Sequence, residues 1–197
     1  MKKTVFAALC AATALAAPAY ADGHGERYVM ITHTQGTDPF WPVVEKGGRD
    51  AAAAIGATLE YNFDVSGDMA AMAALIEAAA ASEPDGIIVS LPDADALGPA
   101  IKSAVADGIP VVTMNSGLES SKELGALMHV GQPERDAGFA AGTRAMAEGV
   151  TKGLCLNQEA FNTALVDRCT GYFDAMGHGT CTGGKARVTL GLTHVHQ

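Results

Sequence analysis

Short apolar runs rich in valine and isoleucine recur along the chain, at residues 28–31, 58–63, 86–91, 109–114, 127–130, 153–156 and 186–192. Between most of them lie alanine-rich segments whose larger apolar residues fall at helical spacing, as Met69, Met72, Leu75 and Ile76 do. Runs this short and this apolar predict strands covered on both faces, and the intervening segments are long enough to be crossover helices. The alternation therefore predicts right-handed βαβ units and a parallel sheet with helices on both sides, an α/β fold. Local punctuation agrees. Gly56 ends the first helical pattern, and Pro84-Asp85-Gly86 and Asp107-Gly108-Ile109-Pro110 turn helices into strands. Pro110 is tolerable at the start of a strand, where its missing N–H lies at the edge of the ladder. Asp68 and Asp93 precede helical patterns as caps.

In such a sheet, ligands gather at the carboxyl ends of the strands. The residues expected there are the turn from His33 to Trp41, then Asp64, Ser90, Asn115 with Ser116, Gln132 with Glu134, and Asn157 with Gln158. The turn reads HTQGTDPFWPVVEKG, with adjacent Phe40 and Trp41 between two prolines where a phosphate-binding turn would carry glycines. A sugar ring presents a patch of C–H groups that an aromatic plane can cover, while its hydroxyls call for planar partners such as Asp, Asn and Arg. Asp38-Pro39-Phe40-Trp41 supplies both kinds of group. The competing role for the rings is to plug the top of the helix onto the core, and that is expected of one of the two. Asn115 has a similar choice between gripping neighbouring hydroxyls and capping its own turn. For Arg168, next to Asp167, the ordinary explanation is a surface ion pair.

The motifs of several enzyme classes are missing. No G-x-G-x-x-G follows the first run, and no G-x-x-x-x-G-K-[ST] or G-x-S-x-G occurs, so no cofactor is expected. His194 and His196 alternate near the end and His178 lies near Cys181, but these spacings match no zinc pattern, and no metal site is expected. The formal net charge of −9 would repel nucleic acid.

The N-terminus sets an expected compartment. Lys2 and Lys3 precede an apolar run over 5–17, and Ala19-Tyr20-Ala21 supplies small residues before Asp22, which predicts a signal peptide over 1–21. That run is shorter than the ~20 apolar residues a bilayer span needs, so no membrane insertion of the mature chain is expected. Leu9 before Cys10 argues against a lipid anchor. Cleavage removes two lysines and no carboxylate, making the mature chain more acidic still. Three cysteines remain for an oxidising environment. Cys155, in the run at 153–156, and Cys169, in the helical segment after it, allow a strand-to-helix disulfide that leaves Cys181 over; buried free thiols are the alternative.

Four stretches, DPFWPVVEKGGRDAAAAIG, PDGIIVSLPDADALGPAIKSAVADGIPVVTMNS, HVGQPERDAGFAAG and NTALVDRCTGYFDAM, resemble in the same order the ribose-binding-protein-like (type I) family of periplasmic sugar-binding proteins, the receptors of bacterial ABC importers. The resemblance implies two Rossmann-like lobes with a ligand cleft between them, and a membrane permease as partner. It implies that Phe40 and Trp41 are paired aromatics against the sugar, with Asp38 as a hydroxyl-binding neighbour. Asn115 falls where the family often has an acidic residue and Ser116 where ribose receptors have arginine; these departures put ribose in doubt and lean toward a small neutral sugar or polyol. Arg168, in R-x-x-G with Gly171, matches a ligand-reaching arginine of the second lobe. VGQPERDAG resembles the crossing between lobes, which implies a first lobe over 22–130 and a partial second lobe over 131–197, with Gln132 and Glu134 at the hinge mouth. Family members run on well beyond Gln197, and GHGTCTGG has no clear counterpart in them. An incomplete second lobe is therefore expected, with an unpaired sheet edge, exposed apolar helix faces and marginal stability or self-association. Two rival functions remain at this point. One is an exported α/β hydrolase acting on a sugar derivative, recruiting Glu134 with Asp136 or Asp64. The other is a ligand-presenting protein for a chemoreceptor or sensor kinase.

Overall fold

The computed structural model describes residues 25–33, 38–159 and 161–177. The predicted signal peptide, the run at 186–192, Cys181 and the histidines from His178 onward lie outside the described residues. Five parallel strands form one sheet in the order β2-β1-β3-β4-β5, where β1 is Arg27–Thr32, β2 Thr58–Phe63, β3 Gly86–Ser90, β4 Val111–Asn115 and β5 Met128–Gly131. The crossovers are α1 (Trp41–Ile55), α2 (Met69–Ala81), α3 (Ala94–Ala106) and the short α4 (Leu118–Ser121); α5 (Glu134–Ala147) and α6 (Thr163–Ala175) follow.

Period-two alternation divides the central strands between two cores. Val29, Ile31, Ile87, Val89 and Val111 face Met72 and Ile76 of α2 and Leu97 and Ile101 of α3, while Met30 and Met114 face Trp41 at the start of α1. The helices begin and end where the local chemistry predicts. Asp68 accepts from the amides of Ala70 and Ala71, Asp93 from those of Asp95 and Ala96, and Gly56 closes α1 at a φ of 75°. Asp64, expected near the ligand edge, instead accepts from the amides of Ser66 and Asp68 and shapes the turn into α2.

Two expectations need correction. The fourth run begins its ladder at Val111, two residues late, because Pro110 has no N–H to give and contributes only its carbonyl, to Ile87. The run at 153–156 forms no strand: residues 151–157 are irregular, with Leu154 and Leu156 exposed and Cys155 linked to α6. Beyond β5 the described residues thus supply two helices and an irregular segment, and no second sheet. Among the described residues β5 pairs only with β4, and its region leaves Leu127, Met128 and Val130 open, Leu127 at 72% exposure.

Candidate functional site

The strand order reverses beside β1, so the loops leaving β1 and β3 diverge and open a crevice at their carboxyl ends. His33, directly after β1, bridges this point. Its backbone N–H donates to Ser90 Oγ at 3.1 Å, and its Nδ1 lies 2.6 Å from the same hydroxyl. The ring of Trp41 meets His33 edge-on at 5.1 Å and Phe40 at 5.0 Å. Trp41 is 4% exposed and belongs to the core with Met30 and Met114, whereas Phe40 is 49% exposed. Both nevertheless line one open cleft of about 760 Å³, so Trp41 serves as floor and Phe40 as rim. Such a volume falls within the ~300–1,000 Å³ of small-ligand sites. Asp38, another lining residue, holds the turn by accepting from the Phe40 N–H at 2.8 Å.

The opposite strands bring Asn115 and Gln132 to the same cleft. Asn115 ends β4 in the left-handed region at a φ of 63°, a conformation asparagine tolerates better than most residues, which turns the chain sharply at the sheet rim. Ser116 is the departure from expectation: it is 2% exposed and does not line the cleft. Its hydroxyl donates to Asn115 Oδ1 at 2.8 Å, which leaves the amide nitrogen of Asn115 as the group free to turn toward a ligand. Behind it, His129 packs Nδ1 against Thr113 at 2.9 Å, and burial holds its pKa below that of a free imidazole, opposed by the Asn115 carbonyl and Glu134.

Arg168 reaches the cleft because α5 and α6 cross at close range. A Cβ on Gly138 would overlap the Arg168 carbonyl, and one on Gly171 the Arg135 carbonyl, so the R-x-x-G glycine is there for backbone approach. Arg168 Nε then donates to Glu134 Oε2 at 2.5 Å, with Gln132 Nε2 donating to the same carboxylate. The pairing anticipated with Asp167 is thus replaced by one across two helices. The hydrogen bond to Glu134 raises the Arg168 pKa.

Two polar lining residues, Glu159 and Asn162, escape the sequence reading. Asn162 caps α6 by accepting from the Ala164 N–H at 3.1 Å, and its Nδ2 donates to Glu159 Oε2 at 2.7 Å. Glu159 also faces His33 Nε2 at 3.6 Å, and the bond to His33, then that to Asn162, lowers its pKa against the effect of burial. The cap was legible as Asn before an apolar helical pattern; the partnership with His33, 129 residues away from Asn162, was not.

With the geometry in place, the comparisons agree on kinship. The family described as periplasmic binding protein domain matches residues 28–188. The chain belongs to that family. No curated protein sequence matches it. Among solved structures, a carbohydrate transporter of Acidothermus cellulolyticus in complex with myo-inositol is 44% identical, with a TM-score of 0.75 over 80% of this chain and 54% of that one. The sugar-binding protein of a Bacillus halodurans sugar ABC transporter is 29% identical, with a TM-score of 0.65 over 77% of this chain and 51% of that one. A periplasmic ribose ABC transporter protein of Conexibacter woesei is 26% identical, with a TM-score of 0.62 over 81% and 54%. The chain therefore spans about half the length of these relatives.

Within this periplasmic-binding-protein domain, a disulfide frames one wall of the cleft. Cys155 and Cys169 are joined with Cα atoms 5.7 Å apart. The loop it closes contains Gln158, Glu159, Asn162, Leu165 and Arg168, which are all the lining residues that follow Glu134. Among the described residues no group of His, Cys, Asp and Glu is arranged to hold a metal, and no helix is long and apolar enough to cross a membrane.

Proposed function

We propose that the protein is the periplasmic substrate-binding component of an ABC importer, taking a small neutral sugar or polyol into the cleft and delivering it to a membrane permease. The observation that carries this reading is the convergence on one cleft of aromatic surface, from Phe40 and Trp41, with planar hydrogen-bonding groups, from Asn115, Gln132 and Arg168. Asp38 and Glu134 line it too. Ser116 acts by orienting Asn115. In this reading residues 1–21 are removed on export, 22–130 form the first lobe, and 131–197 begin the second. Ligand binding draws the two lobes together about the segment at Gln132, a population shift toward a closed form. The Acidothermus relative's myo-inositol makes cyclic polyols the first solutes to test.

No turnover is expected. Ser90, His33 and Glu159 follow one another as a hydrolytic relay would, yet the Ser90 hydroxyl is 0% exposed and does not line the cleft, so no substrate carbonyl can reach it. Of the carboxylates available to a glycoside-cleaving pair, Asp64 is committed to its turn and Glu134 to Arg168.

Trp41 is the only tryptophan, so its emission reports on the cleft directly. Titration with myo-inositol, pentoses and hexoses at millimolar concentration should shift that emission and raise the melting temperature for at least one solute, with no product formed. A panel that changes neither would overturn the reading.

A further inference from the structure

The ionisable groups among the lining residues are Asp38, Glu134, Glu159, Arg168 and His33. They do not balance. Arg168 Nε is engaged by Glu134 at 2.5 Å, so that pair contributes little net charge. His33 is pinned beside the Ser90 hydroxyl, which accepts its backbone N–H at 3.1 Å and lies 2.6 Å from Nδ1, so that Nε2 faces Glu159 at 3.6 Å. Glu159 Oε2 accepts from the Asn162 amide at 2.7 Å and faces His33 Nε2, while Arg168, the only arginine or lysine lining the cleft among the described residues, is engaged by Glu134 instead. Among the described residues both of these contacts fall on Oε2, which leaves Oε1 to accept from the cleft. Asp38 Oδ1 accepts from the Phe40 N–H. The cleft is left with a surplus of anionic acceptors.

We propose that this cleft sorts hydroxyl-rich solutes by charge, with Glu159 setting the rule: it admits neutral polyols and their amino-substituted forms and rejects uronates and phosphorylated sugars. The inference rests on the binding function proposed above and deepens it. A neutral hydroxyl donates its hydrogen to Oε1 and accepts from Asn115. An ammonium group at the same place gains a charge-assisted bond, which offsets its loss of hydration. A carboxylate or phosphate brings like charge against a half-buried carboxylate whose protonation would weaken its contacts to His33 and Asn162, and selectivity by repulsion of this kind is a common device. The lowered pKa of Glu159 is consistent with a group that stays ionised near neutrality.

Matched probes on the full exported chain test this: myo-inositol, an aminodeoxy-inositol and an inositol monophosphate, with glucose, glucosamine and glucuronate as a second set. Affinities by calorimetry at low salt should fall at least about tenfold from the neutral to the anionic member, with the amine within about tenfold of the neutral one or tighter. Glu159→Gln should shrink the gap between neutral and anionic probes by threefold or more. Added salt should narrow it in the unaltered protein, a readout that survives if the variant does not fold. Equal binding of neutral and anionic probes, an anion drawn in by the outer nitrogens of Arg168, an amine excluded like the anion, or a gap unmoved by both Glu159→Gln and salt would each overturn the inference while leaving the binding function intact. Failure of every probe to bind would instead count against the binding function itself.

Discussion

The two walls of the cleft are held in different ways. The sheet wall, with His33, Trp41 and Asn115, is set by strand ends and by side chains buried on both faces of the sheet. The wall from Gln158 to Arg168 has no sheet behind it among the described residues. It stands on an irregular segment, one helix pair and one disulfide. Burial that many residues share cooperatively makes the first wall rigid, whereas the second depends on a few local devices and belongs to the low-stability end of the molecule. That asymmetry suits a receptor in which one wall is a fixed template and the other adjusts to the solute.

Four perturbations probe the contrast, in descending order of expected effect. Ile101→Ala, at a fully buried position under the sheet, should cost about 4 kcal/mol by removing three carbon atoms from the packed core, and should lower the whole unfolding midpoint in urea. Removing the disulfide by Cys155→Ser with Cys169→Ser should cost about 3 kcal/mol for a loop of this length. Amide exchange should then accelerate in α5, α6 and the segment between them, with β1 and β3 unchanged; equal acceleration in the sheet would erase the distinction between walls. Gly138→Ala forces α5 away from α6 and should cost about 2 kcal/mol, weakening ligand binding by displacing Arg168 from Glu134.

The smallest effect is pH dependence, and it separates the walls by window. His129, beside the sheet rim, has its folded pKa held below the free value of about 6.5, so the folded state binds fewer protons than the unfolded one there. Its contribution is complete above that pH and declines as the solution is acidified below it. Glu159, in the other wall, also has a lowered pKa, and its contribution is present above the ordinary glutamate value of about 4.3 and lost only below it. Melting temperature against pH should therefore show an upper step removed by His129→Gln and a lower one removed by Glu159→Gln. A single step untouched by either substitution would contradict the assignment.

The sheet wall was more legible in the sequence for the same physical reason that makes it stable. Strand periodicity, glycine and aspartate punctuation and the aromatic turn are local signals, and β2 came out with its bounds as read. The second wall depends on contacts distant in sequence. The run at 153–156 has apolar residues at strand spacing, but its leucines face solvent and its cysteine is tied to a helix, so the pattern reflects a cross-linked segment and no ladder. Ser116 was placed at the right corner and given the wrong direction, because a left-handed Asn115 swings the next residue inward, a dihedral the sequence does not display. Glu159 carried no motif at all; its place in the wall comes from contact with His33, which is distant in sequence at the end of β1.

Because the bond between Cys155 and Cys169 encloses every described lining residue of one wall, the redox state of the surroundings bears on that whole wall. A reducing medium keeps the thiols free. The same chain then presents its second wall without a covalent tie between the irregular segment and α6, so the order of that wall becomes a variable set from outside the molecule.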